Sequence, residues 1–262
     1  MSHRARKRFG QNFLVDRAVI QRIIEAVNPT EQDLVIEIGP GQGALTAPLS
    51  ETGAELIALE IDRDLARTLE ARFEGYTCTR IVQGDALETD FGAVSGGRPY
   101  RLVGNLPYNI STPLIFHVLE SGQAALDMHF TLQKEVVDRL AAAPGGKDYG
   151  RLGIMCQNRC EVTPLFTIGR EAFSPVPRVE SAFVRLKPRP QPISGAPLAA
   201  TLDRVVRQAF SQRRKTLRNS LSGLLDPTAL AALGIDPGLR AEQLTLDEFI
   251  RLARLIKQGH DE

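Results

Sequence analysis

The chain has 262 residues, 43% of them hydrophobic, and a formal net charge of +1. That length suits one large domain or a large one plus a small one, and no apolar run approaches the ~20 residues that a membrane span needs. Three cysteines without a CxxC pair fit a reducing cytosol, and four scattered histidines without an HExxH or a Cys/His cluster give no metal site.

Residues 1–10 are basic and lack an apolar core, so they do not read as a secretory signal. Asp16 is placed to cap a helix whose apolar residues Val19, Ile20, Ile23, Ile24 and Val27 recur at helical spacing. Leu34 to Ile38 reads as a strand and runs into Gly39-Pro40-Gly41-Gln42-Gly43, with a helix expected from Ala44 to Leu49. Leu56 to Leu59 is a second strand with Glu60 at its end, and Asp62 can cap the helix that follows. Arg80 to Val82 is a third strand, followed by Asp85. Arg101 to Gly104 is a fourth, followed by Asn105-Leu106-Pro107-Tyr108, and Thr112 is the expected N-cap of the next helix. Met128 to Leu132 is a fifth strand, with a helix from about Glu135 to Ala142 after it. This alternation specifies a parallel α/β sheet covered by helices on both faces.

Beyond a flexible 144–150 and a helix from about Arg151, two β-rich stretches, Glu161 to Ile168 and Val179 to Leu186, suit an antiparallel pair at a sheet edge. Lys187 to Pro197 has a linker composition, and the chain then reads as helical. Thr245-Leu246-Asp247-Glu248 is a capping-box pattern. The expected division is a sheet domain over 1–188 and a helical domain over 189–262. Positive charge is concentrated in 4–8 and in 204–218, where Arg204, Arg207, Arg213, Arg214, Lys215 and Arg218 stand with no acid among them. Two solvated basic stretches would read the same, but their pairing with a base-binding motif favours a phosphate-contacting surface.

Gly39-x-Gly41-x-x-Ala44 with Glu60 satisfies the dinucleotide fingerprint literally. Other features favour a different nucleoside cofactor, S-adenosylmethionine. Small residues let backbone approach a ligand closely. The Glu60 carboxylate can accept from a pair of ribose hydroxyls, and Asp85 suits the exocyclic amine of the cofactor's adenine. Carboxylates at successive strand ends suit a cationic sulfonium better than a pyrophosphate. The tetrapeptide Asn105–Tyr108 falls where open α/β sheets place ligands. It offers an amide oxygen, a backbone carbonyl and a flat ring, which suit a planar base bearing an amine. A turn with a half-buried tyrosine would have the same sequence.

The segments EIGPGQGALT, LEIDRDL, QGDAL, GNLPYNISTPL, QKEVV, YGRL, FSPVPRVESAFVRL and AFSQRRKTLRNSL together resemble the ribosomal RNA adenine dimethyltransferases, in particular the bacterial small-subunit type. The resemblance runs from about Arg6 to the C-terminal helices. It implies a Rossmann-like, class I S-adenosylmethionine-dependent methyltransferase sheet with a small all-helical C-terminal domain. It also implies dimethylation of two adjacent adenosines in a hairpin loop near the 3′ end of 16S rRNA, within the small ribosomal subunit. The cofactor residues it carries over are Asn12, Leu14, Gly39, Glu60, Asp85 and Asn105. The target-adenine residues are Asn105, Leu106, Pro107 and Tyr108, with Phe173 as a second ring. The expected protein is a cytoplasmic monomer that uses no metal and no membrane.

Four rivals are weighed against this. A large-subunit methyltransferase of the antibiotic-resistance type typically carries NIPY. DNA adenine methyltransferases usually carry Asn- or Asp-Pro-Pro-Tyr and a separate DNA-reading domain, for which this length leaves little room. A nicotinamide oxidoreductase lacks a recognisable hydride-transfer site here. A ribosome assembly factor acting mainly by binding is compatible with the same motifs.

Overall fold

A computed structural model of the chain describes residues 12–121 and 125–261; the basic stretch at 4–8 lies outside them. The described chain opens with a two-residue strand, β1 (Phe13–Leu14), and a helix, α1 (Arg17–Val27). Asp16 caps that helix as expected: its carboxylate accepts from the N–H groups of Ala18 at 2.8 Å and Val19 at 3.1 Å, donors that a helix start leaves unpaired. Strand and helix then alternate through β2 (Leu34–Ile38), α2 (Thr46–Ser50), β3 (Glu55–Glu60), α3 (Arg63–Arg72), β4 (Thr79–Gln83), α4 (Phe91–Val94), β5 (Tyr100–Asn105), α5 (Ser111–Ser121), β6 (Ala125–Gln133) and α6 (Lys134–Ala141). The later elements are α7 (Arg151–Arg159), β7 (Cys160–Ile168), β8 (Phe173–Ser174), β9 (Ser181–Pro188), α8 (Ala199–Phe210), α9 (Leu217–Ser220), α10 (Pro227–Ala232) and α11 (Leu246–Asp261).

Seven strands form one sheet in the order β4-β3-β2-β5-β6-β9-β7, and β1 pairs antiparallel with β8 in a separate ribbon. β2 pairs parallel with both β3 and β5, as do β3 with β4 and β5 with β6. Parallel strands need a helix to return the chain, and helices on both faces bury both sides of the central strands. That is why all five residues of β2 are buried. β9 runs antiparallel to β6, with Ser181 opposite Gln133. The two late strands therefore lie side by side at the sheet edge, but the later one is inserted between β6 and the earlier.

The chain proceeds outward from β2 to β4, then returns to lay β5 on the other side of β2. The reversal opens a crevice beyond the carboxyl ends of β2 and β5, where ligands bind in such sheets. The two strands approach closely at this point. A Cβ on Gly104 would lie 2.6 Å from the carbonyl oxygen of Ile38, so only glycine fits.

Residues 12–137 with 163–188 form one compact unit, and 138–162 with 189–261 form a second. The second unit thus takes in α7 and the loop before it, which the sequence division assigned to 1–188. Its core includes Leu202, Val205, Val206 and Ala209 of α8 and Phe249, Leu252 and Ala253 of α11. The capping box before α11 is formed: the Glu248 carboxylate accepts from the Thr245 N–H at 2.7 Å, and the Thr245 hydroxyl accepts from the Glu248 N–H at 3.2 Å. The proline-rich stretch is tied to α7 rather than left as a loose linker. Asn158, fully buried, accepts from the Ser194 N–H at 2.9 Å, donates to the Ser194 hydroxyl at 3.1 Å, and its carbonyl accepts from Ile193 at 2.8 Å.

Candidate active site

One cavity opens at the carboxyl ends of β2, β3, β4 and β5, closed on one side by β1. Of the residues expected to form the site, Asn12, Leu14, Gly39, Glu60, Asp85, Asn105, Leu106, Pro107 and Tyr108 all line it. Phe173 does not. It is 2% exposed, pairs across the ribbon with Leu14, and packs in an apolar cluster with Leu14 and Ile23. It packs against the strand that closes the cavity and is not among the residues that line it.

The loop after β2 holds Gly39, Gly41 and Gly43 at φ of +67°, +58° and +81°. These left-handed values favour glycine. Gly41 is constrained twice, since a Cβ there would meet the Phe13 ring at 3.0 Å. Its N–H donates to Glu60 Oε2 at 3.0 Å, and the N–H of Asp62 donates to Glu60 Oε1 at 2.9 Å. Two backbone donors thus fix the plane of this buried carboxylate while leaving further lone pairs for ligand hydroxyls. Burial pushes the Glu60 carboxyl up from its ordinary value, and the backbone N–H groups oppose that shift. At the end of β4, Asp85 Oδ1 accepts from the Leu87 N–H at 2.9 Å.

Glu37 belongs to this cavity too and was missed as a site residue. It is 2% exposed, and Thr46 donates its hydroxyl to Oε2 at 2.7 Å. Burial, opposed by the Thr46 bond and reinforced by the charge of Glu60, pushes its carboxyl up to about 8. The signal was present as a lone acid in the otherwise apolar strand LVIEI, two residues before the glycine loop begins. Among the described residues, no salt bridge reaches Glu37, Glu60 or Asp85. A cradle of left-handed glycines, carboxylates without cations, and the apolar surface of Leu59 and of Ile61, 45% exposed, fit a nucleoside carrying positive charge.

Asn105 ends β5 and donates its Nδ2 to the carbonyl oxygen of Asn12 at 2.8 Å. Only the amino end of an amide can face a carbonyl, so Oδ1 is the end left to accept. The Leu106 N–H is taken by Thr131 at 3.2 Å, and the Pro107 carbonyl accepts from Ile110 at 3.1 Å. The hydroxyls of Tyr108 and Ser181 are 2.8 Å apart. Burial pushes the Tyr108 phenol up, with the Ser181 bond opposing, so it stays protonated near neutrality. α5 starts at Ser111, not after Thr112: the Ile110 carbonyl accepts the first helical bond, from Leu114 at 2.9 Å, and the Ser111 hydroxyl donates back to the Tyr108 carbonyl at 3.1 Å. Thr112 therefore lies inside the first turn.

The basic stretch of the second unit is partly committed within that unit. Arg213 donates to the carbonyl oxygens of Lys147 and Tyr149 and pairs with Glu242 at 3.3 Å. Arg207 pairs with Asp203, just outside the acid-free stretch, at 2.7 Å. Arg204, Arg214, Lys215 and Arg218 are exposed. Among the described residues, no group of three or more His, Cys, Asp or Glu could hold a metal, and no helix is long and apolar enough to cross a membrane.

Comparison with known proteins agrees with this geometry. A family model described as ribosomal RNA adenine dimethylase matches residues 2–258. A protein of Pseudomonas aeruginosa named ribosomal RNA small subunit methyltransferase A is 54% identical over 257 residues, covering 98% of this chain and 96% of that one. A solved dimethyladenosine transferase from Plasmodium falciparum superposes with a TM-score of 0.79 at 26% identity, over 94% of this chain and 98% of that one. A solved 23S rRNA methyltransferase, ErmE, gives a TM-score of 0.74 at 27% identity, over 94% and 100%.

Proposed function

The chain belongs to the ribosomal RNA adenine dimethylase family, and on that premise we propose that Asn105 to Tyr108 receive a flipped-out adenine while the glycine loop, Glu60 and Asp85 hold the cofactor. The protein is an S-adenosylmethionine-dependent methyltransferase acting on adenine of small-subunit rRNA. The large-subunit reading is disfavoured, since identity falls from 54% with a small-subunit enzyme to 27% with a 23S enzyme. The substrate is a pair of adjacent adenosines in a hairpin loop near the 3′ end of 16S rRNA, and the product is dimethyladenosine. The enzyme works as a cytoplasmic monomer with a part in small-subunit biogenesis.

When bound, S-adenosylmethionine supplies an electrophilic methyl group on a sulfonium. The work of this chain is to prepare the nitrogen. An adenine amine is a weak nucleophile because its lone pair is delocalised into the ring. Asn105 Oδ1 and a main-chain carbonyl at Leu106 or Pro107 accept its two hydrogens, which lets the nitrogen pyramidalise and expose the lone pair. Tyr108 stacks on the base, which must leave its stack to enter. Much of the acceleration comes from positioning. Phe173, behind Leu14, supports the wall rather than the base. The exposed Arg214, Lys215 and Arg218 contact phosphates, while Arg213 holds its own loop in place.

The observation that carries this reading is the Asn105 amide, pinned by its donor end so that its acceptor end is available at the strand-order reversal. Asn105→Ala should lower methyl transfer about a hundredfold or more, as for the loss of one preorganised polar partner. The measurement is single-turnover transfer to under-methylated small subunits at saturating cofactor. Subunit affinity should hold, because phosphate contacts dominate it. Transfer at the parent rate would sink the assignment.

A further inference from the structure

Tyr108 lies in the turn between β5 and α5 and carries a hydroxyl that base stacking does not use. That hydroxyl meets the Ser181 hydroxyl at 2.8 Å. Ser181 is fully buried and is the first residue of β9, in register with Gln133 of β6. Its chain neighbour Glu180 accepts from the Lys134 N–H at 2.9 Å. The serine is thus fixed on the sheet, while the tyrosine stands on an irregular turn. A side chain held by a rigid element is ordered before the substrate arrives, and a ring so held presents one face to an incoming base.

We propose that Ser181 is a positioning residue for the methyl-transfer reaction, holding the Tyr108 ring by its hydroxyl in the plane that receives the target adenine. This rests on the assignment of Asn105 to Tyr108 as the base pocket. It gives the segment FSPVPRVES a part in the reaction through its last residue rather than through Phe173. It also makes Tyr108→Phe informative. Stacking needs only the ring, but a ring without its hydroxyl loses the tether.

The test compares Ser181→Ala, Tyr108→Phe, the double variant and Asn105→Ala. Each is assayed by single-turnover transfer from labelled S-adenosylmethionine to under-methylated small subunits, with cofactor affinity and thermal melting measured in parallel. Ser181→Ala and Tyr108→Phe should each slow transfer about fivefold to tenfold, the worth of one net hydrogen bond. The double variant should be no slower than either single one, because both remove the same bond. Cofactor affinity and the KM for subunits should stay at the parent's values. Slowing that multiplies in the double variant overturns the proposal, as does transfer at the parent rate in either single variant while Asn105→Ala is impaired. Should Ser181→Ala melt below the assay temperature, Tyr108→Phe alone decides: full activity there overturns the tether. An unimpaired Asn105→Ala removes the pocket assignment itself, and this inference with it.

Discussion

The sheet of the first unit buries ionisable side chains at both ends and treats them in opposite ways. At the amino ends of β5 and β6, Arg101 grips Asp127 through two bonds of 2.8 and 2.9 Å. The same guanidinium donates to the Val27 carbonyl at 2.7 Å and lies 3.4 Å from Asp33. Arg185 adds a second cation to Asp127 at 3.3 Å. Burial pushes the Asp127 carboxyl up, but Arg101, His129 and Arg185 together outweigh it and hold it below its ordinary value. At the carboxyl ends, Glu37 and Glu60 are as deeply buried, meet only a hydroxyl and backbone N–H groups, and are shifted up. One end satisfies its charges internally and ties α1 to the sheet. The other gives them hydrogen bonds but no cation, which is the arrangement of a site completed by a ligand.

The sharpest way to break this contrast is to strand the charge at the paired end. Arg101→Met should destabilise the fold by about 3–5 kcal/mol, because it leaves Asp127 buried without its main partner. Chemical denaturation reads the loss, and cofactor affinity of the folded fraction should be retained. If stability is unchanged, the network is decoration.

At the other end the largest effect should be on binding. Glu60→Gln keeps the shape but gives up the charge, and should weaken S-adenosylmethionine binding by about 1.5–3 kcal/mol. Calorimetry is the measurement, and an unchanged dissociation constant would take Glu60 out of the site. Stability without cofactor should move far less than in Arg101→Met.

The third prediction sharpens the comparison through pH. Between its ordinary value of 4.5 and about 8, Glu37 keeps in the folded chain a proton that the unfolded chain releases. Its contribution is therefore intact below that window and is lost as pH rises through it. Glu37→Gln cannot ionise, so without cofactor it should gain on the parent from pH 5 to pH 8, by about 3–4 kcal/mol at the upper end. Parallel melting curves across that range would contradict the burial argument.

Features decided within a few residues were legible in the sequence. The caps at Asp16 and Asp62 and the box at Thr245 and Glu248 depend on short spacings, and all three form. The strand-end carboxylates and the glycine loop follow from alternation, which also implies where the ends of parallel strands must meet. What was not legible depends on pairings between distant segments. No local pattern says that β9 enters between β6 and β7, or that Asn158 holds the proline-rich stretch. Phe173 is an example of a residue whose motif is recognisable but whose partner, Leu14, lies far away in the chain. Thr112 does not cap α5, because the helix already begins at Ser111, whose hydroxyl donates back to the Tyr108 carbonyl.

The bond from Asn105 to the main chain of Asn12 has a consequence for which bases the pocket can admit. An amide is a two-ended group, and nothing in the side chain itself decides which end faces the cavity. The carbonyl of Asn12 decides it. An oxygen turned toward the substrate welcomes an amino group and repels a keto oxygen, and adenine and guanine differ in just this way at the six position. On the proposed assignment of Asn105 to the base pocket, discrimination between the two purines would be set in part by a main-chain atom ninety-three positions away in the sequence, which orients the amide but contributes no side chain of its own.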